Sequence, residues 1–329
     1  MADYYAAETG TANLSVDQTA FEKLAYFALR DEMYFDQFAE VQATNATNPG
    51  ATVTFTIFQD MTAATTALGE AEDVTPVALS DSQVSVTLNE YGNATVTTAK
   101  LRATSFLPVD PVAANAVGYN AGLSIDSIAR NAAQAGDNVI YATGGATDPV
   151  SRATVQPDDT LAASDIRKVV AQLRKANVPT IGGSYVAMIH PDVSYDFRSA
   201  TDAAAWRTPA NYVNPQGIYN GEIGLFEGVR FIESPRAPLF ANASDGSSSS
   251  TGSNATIDVY GTLVMGRQAL AKGVSLGGEY GAQPTIVYGT VTDILKRFRP
   301  VGWKHFVGYA VFRQEALRRI ESASSIGAN

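Results

Sequence analysis

Thr52-Val53-Thr54-Phe55-Thr56-Ile57 and Val84-Ser85-Val86-Thr87-Leu88 are the stretches that decide the fold. In both, apolar and polar residues alternate at the two-residue period of a β-strand. The segment from Ala51 to Phe106 is therefore predicted to be a long, mostly polar β-arm that turns at Glu90–Asn93 and returns through Ala94–Thr98. An isolated ribbon is marginal in water and its edges pair readily. We expect this arm, which cannot bury itself, to lie on another surface, either its own subunit or a neighbouring copy.

The charge distribution sets this arm apart from the rest of the chain. Residues 1–110 hold 15 acidic against 4 basic residues, whereas the remainder holds 18 against 19, for a net charge of −10. No Lys or Arg occurs between Asp60 and Asp81, and seven basic residues fall between Lys296 and Arg319. These charges are either simply solvated or, if several copies associate, bring the acidic arm of one copy to the basic segment of another.

Composition limits the class of protein. With 329 residues, 45% of them hydrophobic, the chain is long enough for two domains or one elaborated domain. The absence of cysteine excludes disulfides, thiolate metal sites and a cysteine nucleophile. Met1–Ala20 contains acidic residues and lacks an apolar run, so we expect no signal peptide. No window approaches the roughly 20 apolar residues of a membrane span, so no membrane association is predicted.

Helical spacing predicts several helices. The longest runs for about 25 residues, roughly 38 Å, from an Asp110 cap with Pro111 in the first turn to a left-handed stop at Gly136, and its alanines suggest packing on a sheet. The other predicted helices are an aromatic-rich one over Asp17–Val41 ending near Asn45–Gly50, one from Ser164 or Asp165 through Leu173, a short one from Pro191 towards Arg198, a helical turn at Arg267–Ala271 and a terminal helix over Gln314–Ser322.

Further strands are predicted after the long helix. They are Ser184–Ile189, a pair within Glu222–Glu233, Ile257–Met265, and a ribbon over Thr285–Phe312 that turns near Arg299–Gly302. Pro209–Pro215 and Asn242–Asn254 are predicted to be surface loops. The order of a β-arm, a long helix and then mixed elements indicates an α+β fold rather than alternating βαβ units.

The sequence offers no recognisable catalytic motif. It lacks a phosphate-binding loop, a dinucleotide-binding glycine pattern, a zinc-protease helix and a nucleophile elbow. His190 is predicted to be a helix-entry residue whose ring satisfies local backbone groups, and His305 to be packed in a ribbon beside Trp303. A β-rich hydrolase or binding module that uses His190 is the alternative from another functional class.

Charged clusters are equally non-specific. Glu70, Glu72 and Asp73 have the chemistry to ligate calcium but not the spacing of a known loop, and a solvated face is expected instead. Lys296, Arg297 and Arg299 lie among aromatic residues, as in nucleic-acid-binding patches, but the pI of about 4.7 argues against strong nucleic-acid binding by the free protein. No catalytic residue, cofactor or metal site is predicted.

The sequence resembles the major capsid proteins of tailed bacteriophages, in the subfamily typified by the coat protein of N4-type phages, from Phe35 onward. The segments that carry the resemblance are Phe35–Glu40, Glu72–Pro76 through Leu88–Asn93, Thr97–Leu101, Ile189–Asp192, Gly228–Pro235 and Val301–Lys304. The shell fold of these proteins is shared by herpesvirus shells and bacterial encapsulins. The resemblance thus implies a structural, non-enzymatic protein.

The resemblance also implies a division of the chain. An N-terminal arm and helix would occupy residues 1–50, the extended β-loop 51–107, a peripheral domain with a spine helix 108–179, a mainly axial domain 180–285, and a return to the peripheral domain 286–329. Intersubunit contacts are expected from the residues already noted and from one tyrosine, namely Glu70, Glu72, Asp73, Tyr91, Lys296, Arg297 and Arg299.

The implied partners are other copies of the chain. Hexamers and pentamers would tile an icosahedral shell around double-stranded DNA, which is contacted non-specifically. A portal, a separate scaffolding protein and a decoration protein are further implied partners, with assembly in the bacterial host cytoplasm and final localisation in the virion. An encapsulin-like compartment that holds cargo enzyme instead of DNA is the alternative within the same fold.

Overall fold

The computed structural model describes residues 33–44, 52–65, 67, 73–74, 76–105, 108–145, 148–199, 222–244, 257–275, 281–289 and 293–326. The helices in these ranges are α1 (Ala99–Thr104), α2 (Val109–Gln134), α3 (Ala163–Lys175) and α4 (Pro191–Ser199). The strands are β1 (Ala39–Thr44), β2 (Thr52–Phe58), β3 (Asp81–Thr87), β4 (Asn89–Thr98), β5 (Val139–Tyr141), β6 (Tyr185–Ile189), β7 (Glu222–Phe226), β8 (Val229–Glu233), β9 (Leu239–Ser244), β10 (Ile257–Met265), β11 (Leu270–Ser275), β12 (Thr285–Tyr288), β13 (Phe298–Val311) and β14 (Leu317–Ser322).

The strands form two mixed sheets and one hairpin. The five-stranded sheet has the order β1-β11-β13-β12, with β4 on the other edge of β13. The seven-stranded sheet has the order β5-β14-β10-β6-β8-β7, and β9 also pairs with β10. Strands β2 and β3 pair only with each other in the described part of the chain. Helices and both parallel and antiparallel pairs occur together, which confirms a mixed α and β fold.

Strand β13 is the central strand of the five-stranded sheet. Its residues Val301 and Trp303 pack with Val117 and Ala121 of α2, on one face. On the other face, Phe306 and Ala310 pack against the β2–β3 hairpin (the pair formed by Thr52–Phe58 and Asp81–Thr87). Because side chains alternate along a strand, Val301 and Trp303 face the helix, whereas Phe306 and Ala310 face the hairpin.

The main core lies in the seven-stranded sheet and the helices that cover it. Every residue of β6 is buried, as are all but one in β10. Helix α3 contributes Ile166, Val169 and Leu173, each 0% exposed, as its i, i+3, i+7 spacing predicts. Helix α4 begins at Pro191, as predicted.

The long helix is confirmed, but its ends differ from the prediction. Helix α2 has 26 residues and its N-cap is Pro108, so Asp110 lies in the first turn and does not cap. Gly136 is not among the described residues with a positive φ. The glycine is instead explained by close packing, because a Cβ there would lie 2.7 Å from Leu317 Cδ2.

Two predicted turns are continuous strand. Residues 90–93 lie within β4, and Arg299–Gly302 lie within β13, because these two strands pair with each other over ten residues, from Phe298↔Thr98 to Val307↔Asn89. Gly92 and Gly302 are required by close approach: a Cβ on Gly302 would lie 2.8 Å from Ala94 Cβ. The connection between β12 and β13 includes residues 293–297 instead.

Three helix predictions are wrong for the residues that the structure describes. Ala39–Thr44 is strand β1, and Arg267–Ala271 contains a turn with Gln268 at φ 63°, followed by β11. The predicted terminal helix is a 3₁₀ turn over Gln314–Ala316 and then strand β14, in which Arg319 pairs with Glu321. Most of the predicted N-terminal helix and the predicted loop Pro209–Pro215 lie outside the described residues. Of the predicted loop Asn242–Asn254, Asn242–Ser244 belongs to strand β9, and residues 245–254 lie outside the described residues.

Among the described helices, none has the length and apolar character required to cross a bilayer.

Candidate functional site

The tip of the arm projects into solvent. Every described residue from Phe58 to Gln83 is exposed. Five large apolar side chains lie in this segment, at Phe58 (75%), Met61 (57%), Val74 (58%), Val77 (64%) and Leu79 (72%). Large contiguous apolar exposure usually marks an interaction surface. The tip therefore has the composition of a contact surface, apolar and acidic together.

The base of the arm is buried on its own subunit, contrary to the expectation that the arm cannot bury itself. Val53, Phe55, Val86 and Leu88 are 1–7% exposed and form a core with Ala271 of β11. The hairpin ends where Gln59 N donates to Ser80 O at 3.0 Å. The subunit thus buries the base of the arm, while every described residue between Gln59 and Ser80 is exposed.

The acidic residues of the tip do not form a described metal site. Glu70 and Glu72 lie outside the described residues. Asp73 is exposed, and its Oδ1 accepts from Val74 N at 2.8 Å, which is a local turn contact. In the part of the chain that the structure describes, no three His, Asp or Glu side chains are arranged to hold a metal ion.

Lys296, Arg297 and Arg299 lie together where β13 begins. The guanidinium of Arg297 lies 3.5 Å from Asp293, and that of Arg299 lies 3.5 Å from Asp110 at the start of α2. All three basic side chains are exposed or nearly so. Exposed pairs of this length contribute little to stability, so the side chains can exchange partners when another surface approaches.

Tyr91 lies apart from the basic residues. It belongs to β4, opposite His305, and packs partly buried against Trp303, Val117 and Ala121. The structure therefore places two of the five described contact candidates, Arg297 and Arg299, next to intramolecular acids and gives Tyr91 an intramolecular packing role.

His190 is a helix-entry residue, as predicted. Its Nδ1 accepts from Asp192 N at 3.3 Å, and burial lowers the pKa of the ring despite the opposing carboxylates of Asp192 and Glu233. The nearby hydroxyl of Ser194 donates to Glu233 Oε2 at 3.0 Å, not to the imidazole. This arrangement contains no nucleophile paired with His190, so it gives no support to the hydrolase alternative.

His305 is also a packing residue. It is 1% exposed, and neither ring nitrogen has a hydrogen-bond partner in the described structure. Burial, and next the nearby Lys272 ammonium, lower the pKa of the ring, while Asp36 opposes them. The histidine is therefore held neutral within the sheet.

A buried ionic junction was not anticipated from the sequence. Asp126 of α2, 1% exposed, accepts hydrogen bonds from Phe35 N at 2.8 Å, Asp36 N at 3.4 Å and Arg236 Nε at 3.2 Å. Burial raises the pKa of the Asp126 carboxyl, and these donors counteract that effect. Asp126 lies three and seven residues before buried Ala129 and Ala133, on the same face of the helix. An acidic residue on an apolar helix face was therefore the sequence signal that could have predicted a buried ion pair.

The junction continues through the side chain of Asp36. Lys272 Nζ lies 2.7 and 2.9 Å from its two oxygens, and Tyr309 donates to the same carboxylate. Lys272 is in β11 and Tyr309 in β13, whereas Arg236 follows β8 of the other sheet. The start of the described chain, both sheets and the long helix therefore meet at two aspartates.

This mixed α and β fold is shared by solved phage capsid structures. The structure is similar to the capsid of Ralstonia phage GP4, with a TM-score of 0.75 and 15% identity over 95% of this chain and 97% of that one. It is similar to the capsid of Cyanophage P-SCSP1u, with a TM-score of 0.66 and 18% identity over 96% and 95%. An encapsulin complex from Synechococcus elongatus matches with a TM-score of 0.57 and 11% identity over 95% of each chain.

The family of the chain follows from a sequence match. Residues 10–325 match the model of the family described as phage capsid protein, and the chain belongs to that family. Its role is that of a major capsid protein, a structural component of the virion and not an enzyme. A search of curated protein sequences found no significant match.

Proposed function

We propose that copies of this chain form hexamers and pentamers that tile an icosahedral shell around double-stranded DNA, as in the N4-type subfamily that the sequence resembles. The exposed arm tip is the observation that carries the proposal. Five large apolar side chains on an acidic segment, held out by a buried base, are costly in water unless a partner covers them.

The proposed partner of the tip is the basic region of a neighbouring copy. Lys296, Arg297 and Arg299 are accessible, and Arg297 and Arg299 form long ion pairs with Asp293 and Asp110. Glu70, Glu72 and Asp73 of an incoming arm supply opposite charge, and Tyr91 lies on the adjacent strand. Electrostatic complementarity of this kind steers association and fixes register more than it adds affinity.

The proposed domains correspond to successive segments of the chain. Residues 51–107 form the extended loop, 108–179 and 286–329 the peripheral domain with α2 as its spine helix, 180–285 mainly the axial domain, and 1–50 an N-terminal arm. The buried base of the loop supports this assignment, because a rigid attachment lets the tip reach a neighbour in a defined direction.

Other partners belong to the same proposal. DNA would be contacted without sequence preference, and a portal, a separate scaffolding protein and a decoration protein would join the shell during assembly in the host cytoplasm. None of these partners requires a pocket, because recognition among shell components proceeds through extended surfaces.

Replacement of residues 61–79 by Asn-Gly tests the role of the arm. The variant keeps the Gln59–Ser80 closure and the buried base, so the subunit should fold with unchanged circular dichroism. Electron microscopy and size-exclusion chromatography should then show subunits or small oligomers in place of shells.

A charge-reversal variant separates electrostatics from loss of the arm. Lys296→Glu/Arg299→Glu should reduce the rate of shell formation at low salt. Arg167→Glu/Lys168→Glu, which reverses two exposed basic residues in α3, serves as the matched control. Normal shells from the variant in which Asn-Gly replaces residues 61–79 would contradict the proposed role of the arm.

The encapsulin-like compartment is the second candidate, and the similarity to the Synechococcus elongatus encapsulin complex supports it. The contents of purified particles decide between the two. Packaged double-stranded DNA supports the phage shell, whereas a protein cargo without nucleic acid supports the compartment.

A further inference from the structure

Two consecutive aliphatic side chains on one turn are almost completely exposed. Ile294 is 99% exposed and Leu295 is 70% exposed, directly before β13. Single exposed apolar residues are normal on protein surfaces, but two side by side on a tight turn form a projecting apolar feature. We refer to this pair as the Ile294–Leu295 knob.

The turn that carries the knob is well braced. Arg297 N donates to both carboxylate oxygens of Asp293, at 2.8 and 3.0 Å, and Lys296 N donates to Asp293 O at 3.0 Å. Lys296 has φ 51°, which non-glycine residues rarely adopt. Ala99 N, at the start of α1, donates to Arg297 O at 2.7 Å. The turn therefore holds the knob in a defined position, as a preorganised contact requires.

An apolar cleft of about 330 Å³ lies between β4 and the first half of α2. Its wall is formed mainly by Ala94, Val109, Val112, Ala113, Ala116 and Val117. An apolar cavity of about 150 Å³ engineered in another protein accommodates a benzene molecule. The cleft therefore has room for two side chains of four carbons each.

The knob and the cleft complement each other, and they lie near each other on the subunit, because Thr97 in the cleft wall pairs with Arg299, four residues after Leu295. Because Ile294 is 99% exposed, it does not reach the cleft of its own chain. Asp110, 42% exposed, lies at the start of α2 beside the cleft, and its 3.5 Å pair with Arg299 of its own chain leaves it open to Lys296 of an incoming turn. An apolar centre with one opposite-charge pair at its rim is the usual anatomy of a protein interface.

We propose that the Ile294–Leu295 knob of one copy inserts into the cleft between β4 and α2 of a second copy. The proposal rests on the self-association proposed above and adds the contact that forms it.

Cysteine cross-linking tests the contact, because the chain contains no cysteine of its own. Leu295→Cys and Ala116→Cys subunits are mixed, assembled and oxidised mildly, then separated on a non-reducing gel. We expect a disulfide-linked dimer that contains one copy of each variant. Leu295→Cys mixed with Val150→Cys, a residue 84% exposed outside the knob and the cleft, is the control and should give none.

An assembly assay with the double variant Ile294→Ser/Leu295→Ser gives an independent readout. Both side chains are exposed, so subunit stability should not change, while the protein concentration required for shells should rise about tenfold or more. Shells that form at the wild-type concentration and show no Leu295–Ala116 cross-link would overturn the knob-and-cleft contact and leave the shell function intact. A cross-link to Val150 alone would also overturn it. Failure of the wild-type protein to form shells would overturn the shell function itself.

Discussion

Arg236 Nε lies 3.2 Å from Asp126 Oδ2, and the two side chains are 10% and 1% exposed. This pair joins the long helix to the segment after β8, and Asp126 also receives the backbone N–H groups of Phe35 and Asp36. Opposite charges buried at this depth are costly to separate, because the remaining charge has lost its hydration and its partner together.

Removal of one partner of this pair should destabilise the subunit strongly. Arg236→Ala leaves the Asp126 carboxylate buried without its cation, so we expect a loss of about 3 kcal/mol in the free energy of unfolding at pH 7. The loss should shrink towards pH 5, because the pKa of Asp126 is already raised and the carboxyl can take up a proton. Urea unfolding of unassembled subunits at both pH values measures the effect.

Arg167→Ala is the matched control for this prediction. Arg167 Nε lies 3.1 Å from Glu227 Oε1, a similar distance, but the side chains are 55% and 44% exposed. The loss should be about 1 kcal/mol or less. Equal effects of the two substitutions would show that burial does not decide the contribution of the Asp126–Arg236 pair.

Trp303 should matter for folding of the subunit, as its 4% exposure indicates. Trp303→Ala should lower the free energy of unfolding by about 3 to 5 kcal/mol. Trp303→Phe retains most of the packing but loses the 2.9 Å hydrogen bond from Nε1 to Asn120 Oδ1. The free energy of unfolding should then fall by only about 1 kcal/mol. Denaturant unfolding monitored by circular dichroism tests whether Trp303→Ala is the more destabilising of the two substitutions. A Trp303→Ala subunit of normal stability that fails to assemble would indicate an interface role instead.

The approach of the hairpin to the sheet depends on Gly308. A Cβ at this position would lie 2.1 Å from Thr87 O, a backbone atom that cannot move aside easily. Gly308→Ala should therefore destabilise the subunit by about 1 to 3 kcal/mol and expose the arm base to limited proteolysis. Gly118→Ala is the control, since nothing lies within 4 Å of its Cβ and alanine favours helix α2 by about 1 kcal/mol. We expect Gly308→Ala to lower the free energy of unfolding and Gly118→Ala to raise it, as measured by denaturant unfolding.

His305 should make the subunit sensitive to mild acid. Its pKa in the folded state is lowered, chiefly by burial, so the unfolded chain takes up the proton first, near the ordinary value of 6.5. The stability contributed by the neutral ring is present above pH 6.5 and decreases as the pH falls below it. His305→Leu should reduce this loss between pH 7.5 and pH 5.5, with little change at pH 7.5, because neither ring nitrogen has a described partner.

His190 titrates in the same direction, because burial lowers its pKa as well. The double variant His190→Asn/His305→Leu should therefore have a flatter stability profile over this range than either single variant. A wild-type profile that remains flat from pH 7.5 to pH 5.5 would contradict both assignments.

The local residue pattern was sufficient to predict the helices and strands that are buried on one face or on all sides. The alternation at Thr52–Ile57 predicted β2, the i, i+3, i+7 spacing from Ile166 predicted α3, and the apolar runs predicted β6 and β10. The acidic, exposed tip of the arm was also readable from composition. In each of these cases the information lies within a few neighbouring residues, because side-chain period and burial follow from local backbone geometry.

The tertiary structure decided the elements whose neighbours are distant in sequence. Leu317–Ser322 has helical spacing but completes a sheet between β5 and β10, where Glu321, 0% exposed, pairs with Arg152 and Arg319. Glycines at 92 and 302 suggested turns, whereas they permit β4 and β13 to approach. The Asp126 junction and the burial of the arm base likewise join residues more than 90 positions apart. The sequence by itself determined the local elements and the family resemblance, and only the packing of these elements determined which polar groups became partners.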